Sequence, residues 1–155
     1  SVPVCIMHMQ GKPRDMQQEP AYGDVAQEVL DFLLKRARDC QDAGIPARQI
    51  FIDPGFGFGK TLQHNIDLLR ALPLFAASGY PVLVGLSRKS MLGQLTGRAV
   101  DQRLYSSLSA AVLAANAGVS IVRVHDVAET IDALRIVNAV NRTGTEAPGS
   151  VKIQR

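Results

Sequence analysis

Ile50-Phe51-Ile52-Asp53-Pro54-Gly55-Phe56-Gly57-Phe58-Gly59-Lys60-Thr61 is the stretch on which the reading of this chain turns. The apolar run at residues 50–52 predicts a buried strand that ends in one carboxylate, Asp53. Pro54 stops that strand, because it lacks the N–H a sheet ladder needs and biases Asp53 towards an extended backbone. The three glycines that follow can take positive φ and let backbone approach a ligand closely. Lys60 closes the loop, and Thr61 is placed to cap the next helix. A nucleotide P-loop ends in the same Gly-Lys-Thr, but it also needs a glycine where Pro54 stands, so ATP or GTP binding is rejected. The glycines alone would make an ordinary strand-to-helix connection. The acid at the end of an apolar strand is what marks a candidate site.

Working outward, residues 2–7 predict a first strand, with His8 and Gln10 just past its end. The polar, proline-punctuated residues 12–23 read as a mobile cover over a site. Asp24 with Gln27 three positions on predicts a capping box. Ala26, Val29, Leu30, Leu33, Ala37 and Cys40 then form the buried stripe of a helix that Gly44 ends. Downstream of the central loop, Leu62, Ile66, Leu69 and Leu72 mark a helix broken or bent at Pro73. Residues 81–86 predict a third strand, apolar on both faces as in a covered parallel sheet. Residues 91–100 read as a turn or short helix. Asp101 opens a helix with Leu104, Leu108, Ala111, Val112 and Ala115 inward, ending at Gly118. Residues 119–124 form a fourth strand, and Asp126 with Glu129 caps a last helix carrying Ile131, Leu134, Val137 and Val140. Residues 1–141 read as one domain and 142–155 as a frayed polar tail.

Strands that alternate with helices imply right-handed crossovers and a parallel sheet, whose ligand sites lie at the C-terminal strand ends. The polar groups fall there: His8 and Gln10, Asp53, then Ser87, Arg88 and Lys89, then Arg123 and His125. Arg123 and His125 alternate with Val122 and Val124, so both face one side of the last strand. An arginine buried in a strand must be paired or hold a ligand. One acid among several cations suits a flat, nitrogen-rich ring with an anionic tail. Lys60 reads equally as a ligand group or a solvated cation. His8 reads as a hydrogen-bonded core histidine, His64 as a surface residue, Ser90 as a turn cap, Asp126 as an N-cap and Arg88 as half of an ion pair on the rim.

The net charge of +3, without a basic run, gives no case for nucleic acid binding. No apolar stretch reaches the ~18 residues of a membrane span, and no signal-peptide pattern opens the sequence as given. The 46% hydrophobic content fits a globular fold. Cys5 in an apolar strand and Cys40 on an apolar helix face read as buried, reduced and inert, without zinc-ligand spacing, so a cytoplasmic setting is expected.

The central loop, together with Met7-His8-Met9-Gln10-Gly11, Gly85-Leu86-Ser87-Arg88-Lys89-Ser90 and Ile121-Val122-Arg123-Val124-His125-Asp126, resembles the dihydropteroate synthase family of the bacterial folate pathway. The motifs keep the family's order over residues 3–140. The resemblance implies four β–α units, the C-terminal half-barrel of a TIM-type (β/α)8 barrel of ~250 residues with parallel strands. It implies that p-aminobenzoate attacks 6-hydroxymethyl-dihydropterin diphosphate, giving dihydropteroate and diphosphate. Asp53, Lys89 and Arg123 match pterin-binding positions, with Lys89 and Arg123 the catalytic candidates. Met7, Phe58 and Gly85 match positions lining the pterin. Ser87 matches a residue near the aminobenzoate carboxylate, and Arg123 and His125 match positions around the departing diphosphate. Sulfonamides would compete for the aminobenzoate place. Mg²⁺ is implied, held by the diphosphate and by the family's N-terminal half, with no ligand from this chain. A homodimer is expected.

Two departures stand out. Ser106 replaces the glycine usual in the family and is expected to shift packing near the sheet. The family's first strands, with an asparagine near the diphosphate, Asp and Asn contacts to the pterin and two mobile loops, have no counterpart in these 155 residues. Two alternatives are a related pterin-binding methyltransferase and a non-catalytic truncated half-barrel. The Ser87-Arg88-Lys89 segment and the central loop favour the synthase.

Overall fold

The structure, a computed structural model, describes residues 2–11, 14, 16 and 20–141. The expected mobile cover therefore lies partly outside the described residues, and the expected polar tail lies wholly outside them. The chain runs β1 (Val4–Met7), α1 (Val25–Asp42), a 3-10 turn (Ala47–Gln49), β2 (Ile50–Asp53), α2 (Leu62–Arg70) and α3 (Leu72–Ala76). It continues with β3 (Leu83–Val84), α4 (Ser90–Thr96), a 3-10 turn (Val100–Gln102), α5 (Leu104–Asn116), β4 (Ile121–Val122) and α6 (Val127–Asn141).

β1 and β2 pair in parallel from Val4↔Ile50 to Met7↔Asp53, and β3 and β4 pair in parallel through Leu83↔Ile121 and Val84↔Val122. A parallel bridge, Ile52↔Val82, with the Ile52 N–H on the Pro81 carbonyl at 3.0 Å, joins the two pairs in the order β1-β2-β3-β4. Because side chains alternate along a strand, the register sorts them by face. Ile50, Ile52, Val82 and Val84 are fully buried. Ile52, Val82 and Val84 pack with Val29 and Leu33 of α1, Leu68, Leu72 and Phe75 of α2 and α3, and Ala110 and Ala114 of α5. The opposite face of β1 is open, with Cys5 and Met7 exposed. Parallel strands with helices against one face are an arc of a (β/α)8-type barrel rather than a doubly wound sheet. The expected fold class is what the chain adopts. β3 and β4 are shorter than the expected six-residue strands, because regular pairing ends where the chain turns towards the loops that carry Ser87 and Arg123.

The open face corrects one expectation: Cys5 is exposed and Cys40 only half-buried. Four strands leave the inner side of β1 uncovered, so an apolar strand does not guarantee a buried thiol. At the start of α1, the Asp24 carboxylate accepts from the Ala26 and Gln27 N–H groups, as the N-cap should. The reciprocal partner, however, is Glu28, which accepts from the N–H groups of Gly23 and Asp24. Gln27 instead donates to Asp31. The helix after β2 breaks at Ala71, and Pro73 sits in the first turn of α3, where its missing N–H leaves no orphan.

Helix faces differ from the expected stripes. α5 starts at Leu104, after Asp101 has been used in a 3-10 turn, and buries Ser107, Ala110, Ala111 and Ala114. Leu104, Leu108, Val112 and Ala115 are only partly covered. α5 packs against β4 and α6, and the side chains it buries are small ones, a serine and three alanines, which allow close approach. α2 buries Asn65 and Leu68, with Ile66 and Leu69 half-buried. α6 buries Thr130, Leu134 and Val137, but leaves Val140 exposed.

Truncating Leu33, which is fully buried in the core, to alanine should cost about 2–5 kcal/mol. Ile136→Ala on the exposed side of α6 should change stability by no more than about 0.5 kcal/mol. Urea unfolding of the two variants checks the contrast.

Candidate active site

The loop after β2 is tied down from inside. Gly55 and Gly59 have φ of 70° and 62°, and a Cβ on either would overlap a carbonyl oxygen of the segment after β1, that of His8 or Gln10. Glycine is required there twice over, for its conformation and for its lack of a side chain. Lys60, read from the sequence as either a ligand group or a solvated cation, is not solvated. It is 3% exposed, and its ammonium donates to the carbonyls of Gly55 and Phe58 at 3.0 Å and contacts His8 Nδ1 at 3.0 Å. Asn65 accepts from the Gly57 N–H at 2.7 Å and donates to the Thr61 carbonyl at 2.6 Å. The Tyr22 hydroxyl donates to the Gly59 carbonyl at 2.9 Å. Thr61 caps α2 in a reciprocal arrangement with His64, which packs edge-on against Tyr22 rather than standing free at the surface.

Against this rigid loop the candidate side chains converge. Asp53 is buried, and its Oδ1 accepts from the Gly55 N–H at 2.8 Å. Burial pushes its carboxyl above the ordinary range, opposed by that N–H and then by Lys89, Arg123 and Lys60. Lys89 reaches back from the β3 end, its ammonium 4.3 Å from the centre of the Phe58 ring. Burial lowers its pKa, as does the neighbouring Arg123, while Asp53 works against both. The Arg123 guanidinium lies over Gly85 so closely that a Cβ there would sit 2.6 Å from Nη2. Ser87 is buried, its Oγ 3.0 Å from His125 Nδ1 and accepting from the His125 N–H at 3.3 Å. Met7 lies directly beside Asp53 in the β1–β2 register. The expected acid, lysine and arginine thus act on one another's charge across three adjacent strand ends.

Arg123 and His125 do not lie inside a strand. β4 ends at Val122 and both residues are exposed, so Arg123 needs no buried partner and is instead laid across a glycine. Arg88 is an ion-pair residue as expected, forked onto Asp126. Asp126 opens α6 through its carbonyl, which accepts from Thr130, while its carboxylate serves Arg88. Lys89, not Ser90, occupies the N-cap of α4. Ser106 donates only to the Arg103 carbonyl, whereas Ser107 is the serine that packs against the strand ends. Asn65 and Ser107 escape a sequence reading because each lies on a helix stripe otherwise filled by apolar residues. The offset of Asn65, four residues past the N-cap Thr61, is the one local signal for a polar residue folding back on the loop.

Among the described residues no group of three or more His, Cys, Asp and Glu side chains is placed to hold a metal ion. One carboxylate among three cations does not fit a divalent cation, which needs several oxygen ligands. The donor set suits a ligand that offers N–H groups to Asp53 and carbonyl, phosphate or carboxylate oxygens to Lys89, Arg123, Ser87 and His125.

The sequence profile of a family described as "Pterin binding enzyme" matches residues 1–125. A Haemophilus influenzae protein named dihydropteroate synthase is 52% identical over 139 residues, covering 90% of this chain and 50% of the relative. The crystal structure of Yersinia pestis dihydropteroate synthase with a sulfonamide drug aligns with a TM-score of 0.89 at 46% identity, over 91% of this chain and 51% of that one. Dihydropteroate synthase from Xanthomonas albilineans in complex with 7,8-dihydropteroate aligns with a TM-score of 0.84 at 47% identity, over 92% and 52%. The chain spans about half the length of the curated relatives it matches.

The buried His8–Lys60 contact makes stability depend on pH. Burial first, and then the Lys60 charge, push His8 down to about 4, with Glu28 opposing. Unfolded histidine titrates near ~6.5, so between these values the folded chain binds fewer protons and loses stability as pH falls. Burial lowers Lys60 to about 8, with Asp53 opposing and Lys89 reinforcing. Its contribution therefore rises with pH between about 8 and the ordinary lysine value of ~10.4. The urea midpoint of the natural chain, relative to His8→Gln, should fall from pH 6.5 to 4; parallel curves for the two would refute this.

Proposed function

The chain belongs to the pterin-binding enzyme family, and on that premise we propose that its strand ends form the pterin- and aminobenzoate-facing part of a dihydropteroate synthase site. The observation that carries this reading is the buried acid Asp53, set within electrostatic reach of Lys89, Arg123 and Lys60. Asp53 accepts hydrogen bonds from the amino-pyrimidinone edge of a pterin, its Oδ1 already oriented by Gly55. Lys89 donates to the ring carbonyl or a ring nitrogen. Arg123, flat over Gly85, stacks along the ring and reaches the diphosphate. Phe58, Met7 and Gly85 wall the ring. Ser87 faces the aminobenzoate carboxylate, and His125 faces the diphosphate.

The amine nitrogen of p-aminobenzoate then attacks the exocyclic methylene. The new C–N bond forms as the C–O bond to diphosphate breaks, the diphosphate leaves with the bonding pair, and the amine loses one proton to solvent. Charge develops as a cationic methylene and an anionic leaving group. Fixed donors, with Arg123 and His125 beside the leaving group, lower that barrier by position and field rather than by a covalent intermediate. Sulfonamides would compete for the aminobenzoate place. Mg²⁺ would be held mainly by diphosphate oxygens and by the family's N-terminal half; among the described residues no group of three or more His, Cys, Asp and Glu side chains is placed to hold it. A cytoplasmic homodimer completes the proposal. Tyr105 and Leu113 on α5, with Ile136 and Val140 on α6, leave apolar surface exposed, and no helix among the described residues is long and apolar enough to cross a membrane.

Calorimetry with 6-hydroxymethylpterin should show weak binding to the chain, lost by at least tenfold in Asp53→Ala. Equal binding by that variant would overturn the assignment. The chain by itself should form dihydropteroate and release diphosphate far below the roughly 10 s⁻¹ of a median enzyme, a prediction refuted by turnover at that level.

A further inference from the structure

We propose that Arg88 is a positioning residue, held in a left-handed backbone conformation by Asp126, Ser107 and Arg103 so that Ser87 and Lys89 leave the β3 end in opposite directions. The inference rests on the reading above, in which both of those side chains contact substrate.

Arg88 has φ of 58°, and among the described residues it is the one non-glycine with positive φ. Arginine has no intrinsic preference for that region, so the surrounding structure must impose it. The consequence is directional. In a continued strand, Ser87 and Lys89 would point to the same side, two residues apart. Here Ser87 turns to β4, its Oγ 3.0 Å from His125 Nδ1, while Lys89 turns to the loop after β2 and sits over Phe58. The left-handed residue between them makes both contacts possible at once.

The backbone N–H, the carbonyl and the guanidinium of Arg88 are each held. Its N–H donates to Ser107 Oγ at 2.9 Å, and its carbonyl accepts from Arg103 Nη1 at 2.9 Å. Its guanidinium forks onto Asp126, Nε to Oδ2 at 3.2 Å and Nη2 to Oδ1. The anchors are fixed in turn. Ser107 is buried and donates to the Arg103 carbonyl at 2.6 Å, and Asp126 is braced by Thr130 at the first turn of α6. Neighbouring strand ends are therefore linked twice in succession, Ser87 to His125 and Arg88 to Asp126. An isolated rim ion pair would add little, and it would not need a left-handed backbone. A planar fork fixes orientation as well as distance, which a lysine cannot reproduce.

The test uses the chain with Arg88→Ala, Arg88→Gly, Arg88→Lys and Asp126→Asn, 6-hydroxymethylpterin as the calorimetric probe, and NMR of the His125 and Phe58 rings. Those rings report the Ser87 and Lys89 contacts. Arg88→Ala and Asp126→Asn should each weaken pterin binding at least tenfold and shift both ring signals while the amide spectrum stays folded. Arg88→Lys should fail to rescue, and Arg88→Gly, which accepts the left-handed backbone freely, should lose less than Arg88→Ala. Unchanged binding in Arg88→Ala, or unmoved ring signals, would overturn the proposal. If the unsubstituted chain binds no pterin, the functional reading fails by itself, and the ring signals still decide the positioning role.

Discussion

The parallel register of the strands is the constraint on which everything else rests. With a side-chain period of two, one alignment sends Ile50, Ile52, Val82 and Val84 into the helical layer and leaves the other face to Cys5, Met7 and Asp53. A slip of one residue would bury the Asp53 carboxylate among leucines and expose the isoleucines. The cost of either error fixes the register. The fixed register is what brings Met7, Asp53 and the ends of β3 and β4 to one rim.

On that rim, two lysines have opposite uses. Lys60 satisfies inward-turned carbonyls of its own loop, in company with His8. The loop contains backbone groups that no sheet or helix ladder can serve, and a buried ammonium supplies several donors at one point. Lys89 has no such employment in the loop. It rests on the Phe58 ring in the field of Asp53 and Arg123. The first lysine holds its own loop together, and the second stands between that loop and the charges of Asp53 and Arg123.

Much of this was legible in the chain. The apolar run closed by Asp53 and Pro54, the glycines, the Thr61 cap and the alternation of strands with helices all follow from local chemistry, and all are present. The grouping of Asp53, Lys89 and Arg123 was legible too, because each lies at or just past the end of a strand and parallel strands share an end. Less legible was which stripe of α5 turns inward. Leu104, Leu108 and Val112 outweigh Ser107 and the alanines in hydrophobicity, yet close packing selects small side chains.

By itself the sequence determined the order of β–α units, the helix caps at Asp24 and Thr61, and the polar identity of each strand end, since these depend on residues within a few positions of one another. Only the tertiary structure decided that Lys60 points inward, that Cys5 is exposed, that Arg123 lies across Gly85, and that Arg88 takes a left-handed backbone between Asp126 and Ser107. Each of these depends on atoms from distant segments, His8 with Lys60 or Asp126 with Arg88, or on a face left uncovered. Burial and hydrogen-bond satisfaction are properties of the packed whole, and no local pattern in the chain encodes them.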